Sequence, residues 1–340
     1  MINSRPTIRQ IAEAAGVSTA VVSAVVNGKE NQAVFVSQVT KSKVQAVVRK
    51  MNYVPSRSAR NLRSQKTDVL GVIFNSLNPY HAELLEALQK ECFRKRLEVL
   101  PYVTNGDVKR EDDYLRLMSD GRVDGVIICA KSDSTVERIH KYAGPPFNLK
   151  IVTTNPAEPD IASVHTEESL AGPLAADHLI EQGRKNLGFF GGMIQIGRAE
   201  SFFQTVRERG LKPCACVGDR YISDFIGAQP LAAEMLDRYP SLDGVFCHND
   251  EVAVALVGAA MDRGVRVPED LAIVGYDNSR VCLYARPAIS SIDTHVDAQA
   301  CAIVAKLTSI INKRDFELHT VLKPDLIVRA SSSCIKRNKP

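Results

Sequence analysis

A chain of 340 residues with 45% hydrophobic and 24% charged residues has the composition of a soluble globular protein of about two or three domains. This composition excludes a coiled-coil rod or a collagen-like repeat as the main architecture, and apolar runs such as Val69–Phe74 and Val123–Ala130 are too short to span a bilayer. Because Met1–Gln10 is polar and basic, we expect no secretion signal and a cytosolic protein.

The net charge of +4 is distributed unevenly along the chain. Residues 1–66 contain eleven Lys or Arg and two acidic residues, a net charge of +9, whereas the rest holds 32 basic and 37 acidic residues, a net charge of −5. A basic segment on a mildly acidic body indicates a nucleic-acid-binding head, with a solvated basic tail as the alternative. The eight cysteines are scattered without a C-x-x-C pair, which favours reduced, buried thiols over a zinc site.

The basic segment predicts a first helix that begins after Thr7. Thr7 can cap this helix, and Gln10, three residues later, can complete a capping box. Four apolar residues then share one helical face: Ile8, Ile11, Ala12 and Ala15. Gly16 permits the left-handed turn that ends the helix.

A second helix is predicted to begin at Thr19, with Ser18 as its cap, and to close at Asn27-Gly28. Four valines supply its buried side: Val21, Val22, Val25 and Val26. Two short helices joined by a glycine-containing turn predict a helix-turn-helix, whose second helix lies in the DNA major groove. A third helix from Ser37 to Met51 is expected to complete the core with four further valines: Val39, Val44, Val47 and Val48.

The motifs of this segment resemble the head of the lac repressor/GalR family of bacterial transcriptional regulators. They are the run Thr7–Ser18, the step Val21–Ser23, the closing Val26-Asn27-Gly28 and the run Met51–Pro55. In that family the segment after the proline forms a hinge helix on DNA, enters the minor groove and inserts a leucine between the central base pairs. The resemblance implies a head over residues 1–54 and a hinge helix and linker over residues 55–66.

Residues 56–63 fit this hinge pattern. Ala59 and Leu62 hold the groove-facing positions, and Arg57 and Arg60 supply positive charge for phosphates. Eight residues are too few for a stable isolated helix, so a flexible basic linker in the free protein stays open as an alternative.

The resemblance also implies which residues contact DNA. In the head and hinge they are Thr7, Ser18, Thr19, Ala20, Ser23, Ala24, Asn27, Arg57, Ala59, Arg60 and Leu62. Ala24 departs from the family, which commonly has Arg there, the most frequent reader of guanine. We therefore expect an unusual half-site or more reliance on DNA shape. The segment Gly28–Phe35 is about four residues longer than usual in the family.

From Asp68 onward, short apolar runs alternate with amphipathic segments. The strand-like runs are Val69–Phe74, Glu98–Val103, Val123–Cys129, Ile151–Thr154, Leu187–Phe190, Val245–Cys247 and Ala272–Tyr276. This alternation predicts doubly wound parallel α/β sheets that bind ligands at the carboxyl ends of their strands.

The body continues the family resemblance in motifs such as Asn78-Pro79-Tyr80, His248-Asn249-Asp250 and Gly275-Tyr276-Asp277. The implied fold is that of periplasmic sugar-binding proteins, in which two lobes joined by three crossings hold a small molecule between them. We expect this effector-binding and dimerisation body over residues 67–340. Its first lobe would comprise about 67–162 with 293–322, and its second lobe 163–292 with 323–340.

Three residues match the family's ligand-binding positions closely: Arg198, Asn249 and Asp277. A guanidinium, an amide and a carboxylate suit vicinal sugar hydroxyls or purine edges. Asn78, Tyr80 and Tyr221 are further candidates for the effector pocket. For Arg198 and Asp277 an ion pair within the protein is the alternative, and for Tyr221 it is ordinary packing. Cys129 stands where some relatives have an amide, which argues against transferring a particular sugar.

Enzyme motifs are missing from the sequence: it has no dinucleotide-binding G-x-G-x-x-G, phosphate loop, G-x-S-x-G elbow or H-E-x-x-H. A dehydrogenase would rest on βαβ alternation alone, and a periplasmic transport receptor would not carry a basic helix-turn-helix. We therefore expect no enzyme, no cofactor and no metal. The predicted function is a homodimeric repressor that binds a pseudopalindromic operator in double-stranded DNA and is controlled by a sugar-like effector.

Overall fold

The computed structural model of the chain describes residues 6–27, 36–54, 66–129, 135–156, 159–191, 197–217 and 224–333. Its contacts divide between two units, Met1–Thr67 and Asp68–Pro340. The predicted hinge residues Arg57, Ala59, Arg60 and Leu62, the segment Gly28–Phe35, and Tyr221 lie outside the described residues.

The first unit contains three helices: α1 (Ile8–Ala15), α2 (Thr19–Asn27) and α3 (Gln38–Lys50). The capping box of α1 is confirmed, because Thr7 Oγ1 accepts a hydrogen bond from the Gln10 amide and Gln10 Oε1 accepts one from the Thr7 amide at 2.8 Å. Gly16 ends α1 in the left-handed region at φ +62°, as predicted. The hydroxyls of Ser18 and Ser37 cap α2 and α3.

Apolar side chains from all three helices form the core of this unit. Its buried members are Ile11, Ala12, Ala15, Val22, Val25 and Val44. The prediction that Val39 completes this core is wrong, because its side chain is 81% exposed. Val44, Val47 and Val48 share a helical face at the expected spacing, whereas Val39 lies five residues before Val44 and points elsewhere.

Two six-stranded sheets organise the second unit. The first sheet has the order β2–β1–β3–β4–β5–β11, and all its pairs are parallel. Its strands are β1 (Val69–Phe74), β2 (Glu98–Val103), β3 (Gly125–Cys129), β4 (Ile151–Thr153), β5 (Ser163–Thr166) and β11 (His319–Leu322). These strands and the helices packed on them are called the first lobe.

The second sheet has the order β7–β6–β8–β9–β10–β12, and only its β10–β12 pair is antiparallel among the pairings described. Its strands are β6 (Leu187–Phe190), β7 (Ala215–Val217), β8 (Gly244–Cys247), β9 (Ala272–Asp277), β10 (Ser290–Asp293) and β12 (Asp325–Ile327). With its helices it forms the second lobe. The seven strand-like runs read from the sequence all correspond to strands, with ends displaced by at most two residues.

Each sheet is covered on both faces by helices, which leaves two apolar core clusters in each lobe. The helices of the first lobe are α4 (Pro79–Arg94), α5 (Val108–Ser119), α6 (Thr135–Ala143) and α12 (Val296–Ile311). Those of the second lobe are a 3-10 turn (Glu168–Leu170), α7 (Ala171–Glu181), α8 (Gly197–Glu208), α9 (Phe225–Arg238), α10 (Asp250–Asp262) and α11 (Val281–Tyr284). The doubly wound α/β architecture predicted from the alternation is confirmed.

The chain passes between the two sheets three times, after β5, after β10 and after β11. The first crossing begins later than the expected boundary near residue 162, because Ser163–Thr166 pairs with β11 inside the first sheet. A hydrogen bond of 3.2 Å from Thr166 Oγ1 to the carbonyl of Thr294 joins the first two crossings. The crossings place the carboxyl ends of both sheets on either side of one cleft.

The cysteines with described side chains are free thiols. Four of them, Cys92, Cys129, Cys247 and Cys282, are buried as predicted, but Cys301 is exposed. None of the helices in the described ranges has the length and hydropathy that a bilayer-spanning helix needs.

Candidate functional sites

The ends of the first two helices form the exposed polar surface of the head. Thr7, Ser18, Thr19 and Ala20 are all exposed, and neither α1 nor α2 has an acidic residue in its first turn. The amide groups and the positive dipole ends of these helices are therefore not neutralised locally. Such helix N-termini attract anions, and DNA phosphates have the required charge.

The remaining predicted contacts of α2 differ in their exposure. Ser23 is half-buried, and Ala24 is only 7% exposed, so its methyl group has little surface to offer a base. Asn27 is the last residue of α2, and its side chain lies outside the described residues. Exposure thus favours Thr19 and Ala20 over Ala24 as the side chains that reach base edges.

The described part of the head is strongly basic. It carries five cationic side chains, Arg9, Lys41, Lys43, Arg49 and Lys50, against one acidic residue, Glu13. Contacts between cations and phosphates supply most of the sequence-independent affinity for DNA and make it sensitive to salt. The head therefore combines a helix-turn-helix with the charge that DNA binding requires.

Polar residues from both lobes meet in one small gap at the carboxyl ends of the strands. The side chains around it are Asn78, Pro79, Tyr80, Asn249, Asp250, Glu251, Asp277 and Ser279, and they surround about 150 Å³ of empty space. The structure thus brings together four of the predicted effector residues. The first lobe contributes Asn78 and Tyr80, and the second lobe contributes Asn249 and Asp277.

Three of these four side chains already have structural partners. Asn78 Oδ1 accepts a hydrogen bond from the His81 amide at 2.8 Å and caps α4, while Asn249 Oδ1 caps α10 by accepting from the Val252 amide at 3.0 Å. The hydroxyl of Tyr80 donates to Gln299 Oε1 at 2.6 Å. Burial raises the pKa of Tyr80 well above its usual value, so the phenol stays protonated.

Arg198 is 9% exposed and has several contacts inside the second lobe. Its Nη2 donates to Glu168 Oε1 at 2.8 Å, and its Nη1 donates to the carbonyl of His248 at 2.7 Å. The guanidinium also lies 3.7 Å from the ring centre of Tyr276. Within the described ranges, the buried Nε atom has no hydrogen-bond partner.

The ion pair with Glu168 changes how Arg198 is understood. Burial alone would lower the pKa of Arg198, but the Glu168 carboxylate outweighs burial and holds that pKa above its usual value. The alternative of an ion pair within the protein therefore holds for Arg198. Sequence reasoning missed Glu168, which lies 30 residues away on the 3-10 turn.

Asp277 ends strand β9 with φ +103° and is half-buried. Within the described ranges its carboxylate has no hydrogen-bond or ion-pair partner. Burial raises the pKa of Asp277 well above its usual value, and the nearby carboxylate of Asp250 raises it further. A ligand that donates hydrogen bonds would supply what this carboxylate lacks.

Asp250 is a functional-site residue that sequence reasoning missed. Its Oδ2 accepts hydrogen bonds from the amide and hydroxyl of Ser279 at 2.7 and 2.9 Å, and its Oδ1 accepts one from Ser291 Oγ at 2.6 Å. Burial raises the pKa of Asp250 to about 6. The available signal was its place at the start of α10, directly after Asn249.

Cys129 ends strand β3 and is buried, and burial raises the pKa of its thiol to about 12. The thiol therefore stays neutral at physiological pH and cannot take the place of an amide that both donates and accepts hydrogen bonds. In the part of the chain that the structure describes, no cluster of three or more His, Cys, Asp or Glu could hold a metal ion.

Comparisons with known proteins place both units. Residues 7–56 match the family model for bacterial regulatory proteins of the lacI family, and residues 176–332 match that for a periplasmic binding protein-like domain. The chain is 29% identical over 338 residues to the HTH-type transcriptional repressor PurR of Klebsiella pneumoniae, covering 96% of each. It is 28% identical over 337 residues to PurR of Photobacterium profundum, covering 96% of this chain and 98% of the relative.

Solved structures agree on the fold. The crystal structure of the lac repressor dimer bound to operator and the anti-inducer ONPF superposes with a TM-score of 0.85 at 21% identity, over 97% of this chain and 99% of that one. The complex of the regulator CelR with cellobiose has a TM-score of 0.69 at 22% identity, over 96% of this chain and all of that one.

The helix-turn-helix and two-lobed body predicted from the sequence are thus confirmed together. They occur in the same order and over the same span as in these regulators. The protein belongs to the lac repressor/GalR family of bacterial transcriptional regulators and is a DNA-binding protein, not an enzyme.

Proposed function

We propose that the protein is a homodimeric repressor whose affinity for a pseudopalindromic operator is set by a sugar or sugar derivative bound between its two lobes. One observation carries the proposal: polar side chains of both lobes, Asn78 and Tyr80 from the first and Asn249 and Asp277 from the second, meet in one gap. A molecule held there would contact both lobes and so couple their arrangement to the presence of ligand.

The head supplies the operator contacts in this proposal. Two copies of α2 would lie in successive major grooves, with Thr19 and Ala20 toward the bases and the helix ends toward phosphates. The hinge residues Arg57, Ala59, Arg60 and Leu62 would enter the minor groove between the two half-sites, with Leu62 as the wedge. Such a protein acts in the bacterial cytoplasm, at the nucleoid.

The cleft supplies the control. Asp277 would accept hydrogen bonds from vicinal hydroxyls, and Arg198 would donate from its unpartnered Nε. The gap of about 150 Å³ is smaller than most ligand sites, so binding requires the lobes to rearrange around the effector. A coupling of ~1–3 kcal/mol between the effector and DNA would change operator affinity by about 5- to 150-fold.

Genome-wide footprinting of the full-length protein tests the operator. We expect pseudopalindromic sites, and an oligonucleotide of one such site gives a probe for fluorescence anisotropy. Leu62→Ala should weaken binding to this probe at least about tenfold, while Leu62→Met, which keeps a wedge-shaped side chain, should retain most of the affinity. Equal affinity of Leu62→Ala and the unchanged protein would rule out the wedge.

The same probe tests the effector. Neutral sugars and, as a separate arm, purine bases are added to the protein–operator complex, and the compound that changes operator affinity is the effector. Arg198→Ala should abolish this change while binding to the operator persists. A full response in Arg198→Ala would remove Arg198 from the site, and a response to purines alone would replace sugars as the effector class.

A further inference from the structure

The charges around the cleft restrict the charge of its ligand. Three carboxylates border the gap, those of Asp250, Glu251 and Asp277, and within the described ranges no cationic side chain borders it with them. Asp250 is bound by the two serines, whereas Asp277 has no such donors in this part of the chain. A ligand in this gap therefore meets a negative surface.

The nearby guanidinium of Arg198 does not reverse this sign. Glu168 lies 2.8 Å from Arg198 Nη2 and neutralises its charge, and the carbonyl of His248 occupies Nη1. The pKa of His248 is lowered well below its usual value by burial and by Arg198, so its imidazole adds no positive charge at neutral pH. The Arg198–Glu168 pair thus contributes hydrogen bonding to the site without net charge.

The unsatisfied atoms point to the same chemistry. Arg198 is nine-tenths buried, and its Nε is a donor without a partner in the described ranges. Asp277 is an acceptor in need of donors, and a donor group on a ligand would stabilise its ionised form. A hydroxyl group can accept from Nε and donate to Asp277, whereas an ionised phosphate or carboxylate offers mainly acceptors and brings like charge to Asp277.

We propose that Glu168 is a specificity-determining residue that excludes anionic effectors: the cleft takes an uncharged or amino-bearing polyol and rejects the phosphorylated or carboxylated form of the same skeleton. This inference rests on the proposed function and narrows its effector class. It assigns Glu168 the task of cancelling the guanidinium charge while leaving Arg198 able to donate hydrogen bonds.

Fractionation of a small-molecule extract tests the charge of the effector. The extract is prepared from the bacterium that encodes the protein and is passed over a strong anion exchanger. Each fraction is then added to the full-length protein on its footprinted operator. We expect the fraction that does not bind the resin to change operator affinity. Activity confined to the retained, anionic fraction would overturn the inference while leaving effector control intact.

A third result separates the two proposals. If neither the whole extract nor any fraction changes operator affinity, control by an effector is wrong and the inference falls with it, although operator binding itself stands. A response to the whole extract is therefore measured first, before the fractions are compared.

Competition by inorganic phosphate tests Glu168 itself. The unbound fraction is titrated with and without millimolar phosphate at constant ionic strength, using the unchanged protein, Glu168→Gln and Glu200→Gln. Gln keeps the size of the side chain and removes its charge, and Glu200 is an exposed residue of α8 that controls for the loss of one charge. In Glu168→Gln we expect phosphate to raise the half-effective amount of the fraction about tenfold, a difference of about 1.4 kcal/mol.

The unchanged protein and Glu200→Gln should not respond to phosphate in this way. Equal competition in the unchanged protein would mean that anions already have access to the Arg198 charge, which contradicts the inference. Absence of competition in Glu168→Gln would mean that Glu168 does not set the charge preference of the cleft.

Discussion

Arg280 of the second lobe contacts Glu86 of the first, with 2.6 Å between Arg280 Nη2 and Glu86 Oε2. The backbone amide of Arg280 also donates to Glu83 at 2.7 Å, so two glutamates of α4 bind one residue across the cleft. Arg280 directly follows Ser279, which borders the effector gap. The two lobes are therefore joined by charge next to the place where a ligand would enter.

Removing this bridge should shift the lobes toward a more open arrangement. Both side chains are more than half exposed, so the pair contributes ~0.2–1 kcal/mol and Arg280→Ala should change the ratio of closed to open molecules by at most about fivefold. Fluorescence energy transfer between labels on the two lobes measures this ratio. High salt should reduce the difference between Arg280→Ala and the unchanged protein.

Arg209→Ala is the matched control for this measurement. It removes a comparable exposed ion pair, with Asp177, that lies inside the second lobe. We expect its distribution of lobe distances to equal that of the unchanged protein. The bridge would be without effect if Arg280→Ala and Arg209→Ala behaved alike at low salt.

Asp250 should make the stability of the body depend on pH. Burial raises its pKa from the usual 3.8 to about 6, so the folded protein binds this proton more tightly than the unfolded chain does. The stability gained from protonation is fully present below about pH 4 and is lost as the pH rises through about 6. A shift of about two pKa units corresponds to about 3 kcal/mol.

Asp250→Asn should remove this dependence. Its amide can accept from Ser279 and donate to Ser291, so the hydrogen bonds have replacements. Urea unfolding between about pH 4 and 7 should show a larger loss of stability in the unchanged protein than in Asp250→Asn. Asp315→Asn, at an exposed position, should follow the unchanged protein. Parallel curves for all three proteins would contradict the assigned titration.

Gly275 is required by the position of Asp250. A Cβ atom at Gly275 would lie 2.3 Å from Asp250 Oδ1, and Asp250 is fixed by three hydrogen bonds. We expect Gly275→Ala to lower the free energy of unfolding by ~1–3 kcal/mol, the range of overpacked cores. Gly258→Ala on α10 is the control, because nothing lies within 4 Å of its added Cβ, and it should stabilise the helix by ~0.5–1 kcal/mol. Equal effects of the two substitutions in urea unfolding would refute the steric argument.

Local signals in the sequence predicted local structure well. Thr7, Gln10 and Gly16 specify the two ends of α1 through groups within a few residues of each other, and each was found in its predicted role. The strands were found because their apolar runs are long enough to be buried on both faces of a sheet. Such features depend on neighbours in sequence, so a single chain suffices to predict them.

Features that depend on distant partners were not predictable in this way. The sequence of Ser163–Thr166 indicates a buried strand but not which sheet it joins, because that depends on pairing with His319–Leu322 far along the chain. The Arg198–Glu168 pair likewise joins two separate helical segments. Resemblance to a family supplied the location of the cleft, but the partners that set its charge became visible only in three dimensions.

The head offers a test of the one core residue that was predicted wrongly. Val39 is 81% exposed whereas Val44 is fully buried, although both lie on α3 and have the same side chain. Val39→Ser should change the stability of the head by less than about 0.5 kcal/mol, because it removes no buried contact. Val44→Ala should lower that stability by about 2 kcal/mol, because it deletes two buried methyl groups and leaves a cavity.

Amide hydrogen exchange of α1, α2 and α3 in the full-length protein measures these local stabilities without isolating the head. Protection of all three helices should fall in Val44→Ala and stay unchanged in Val39→Ser. Operator affinity should fall with the folded fraction of the head in Val44→Ala, since DNA binds the ordered helix-turn-helix. A loss of protection in Val39→Ser as large as that in Val44→Ala would restore Val39 to the core and show that α3 is rotated from the orientation described above.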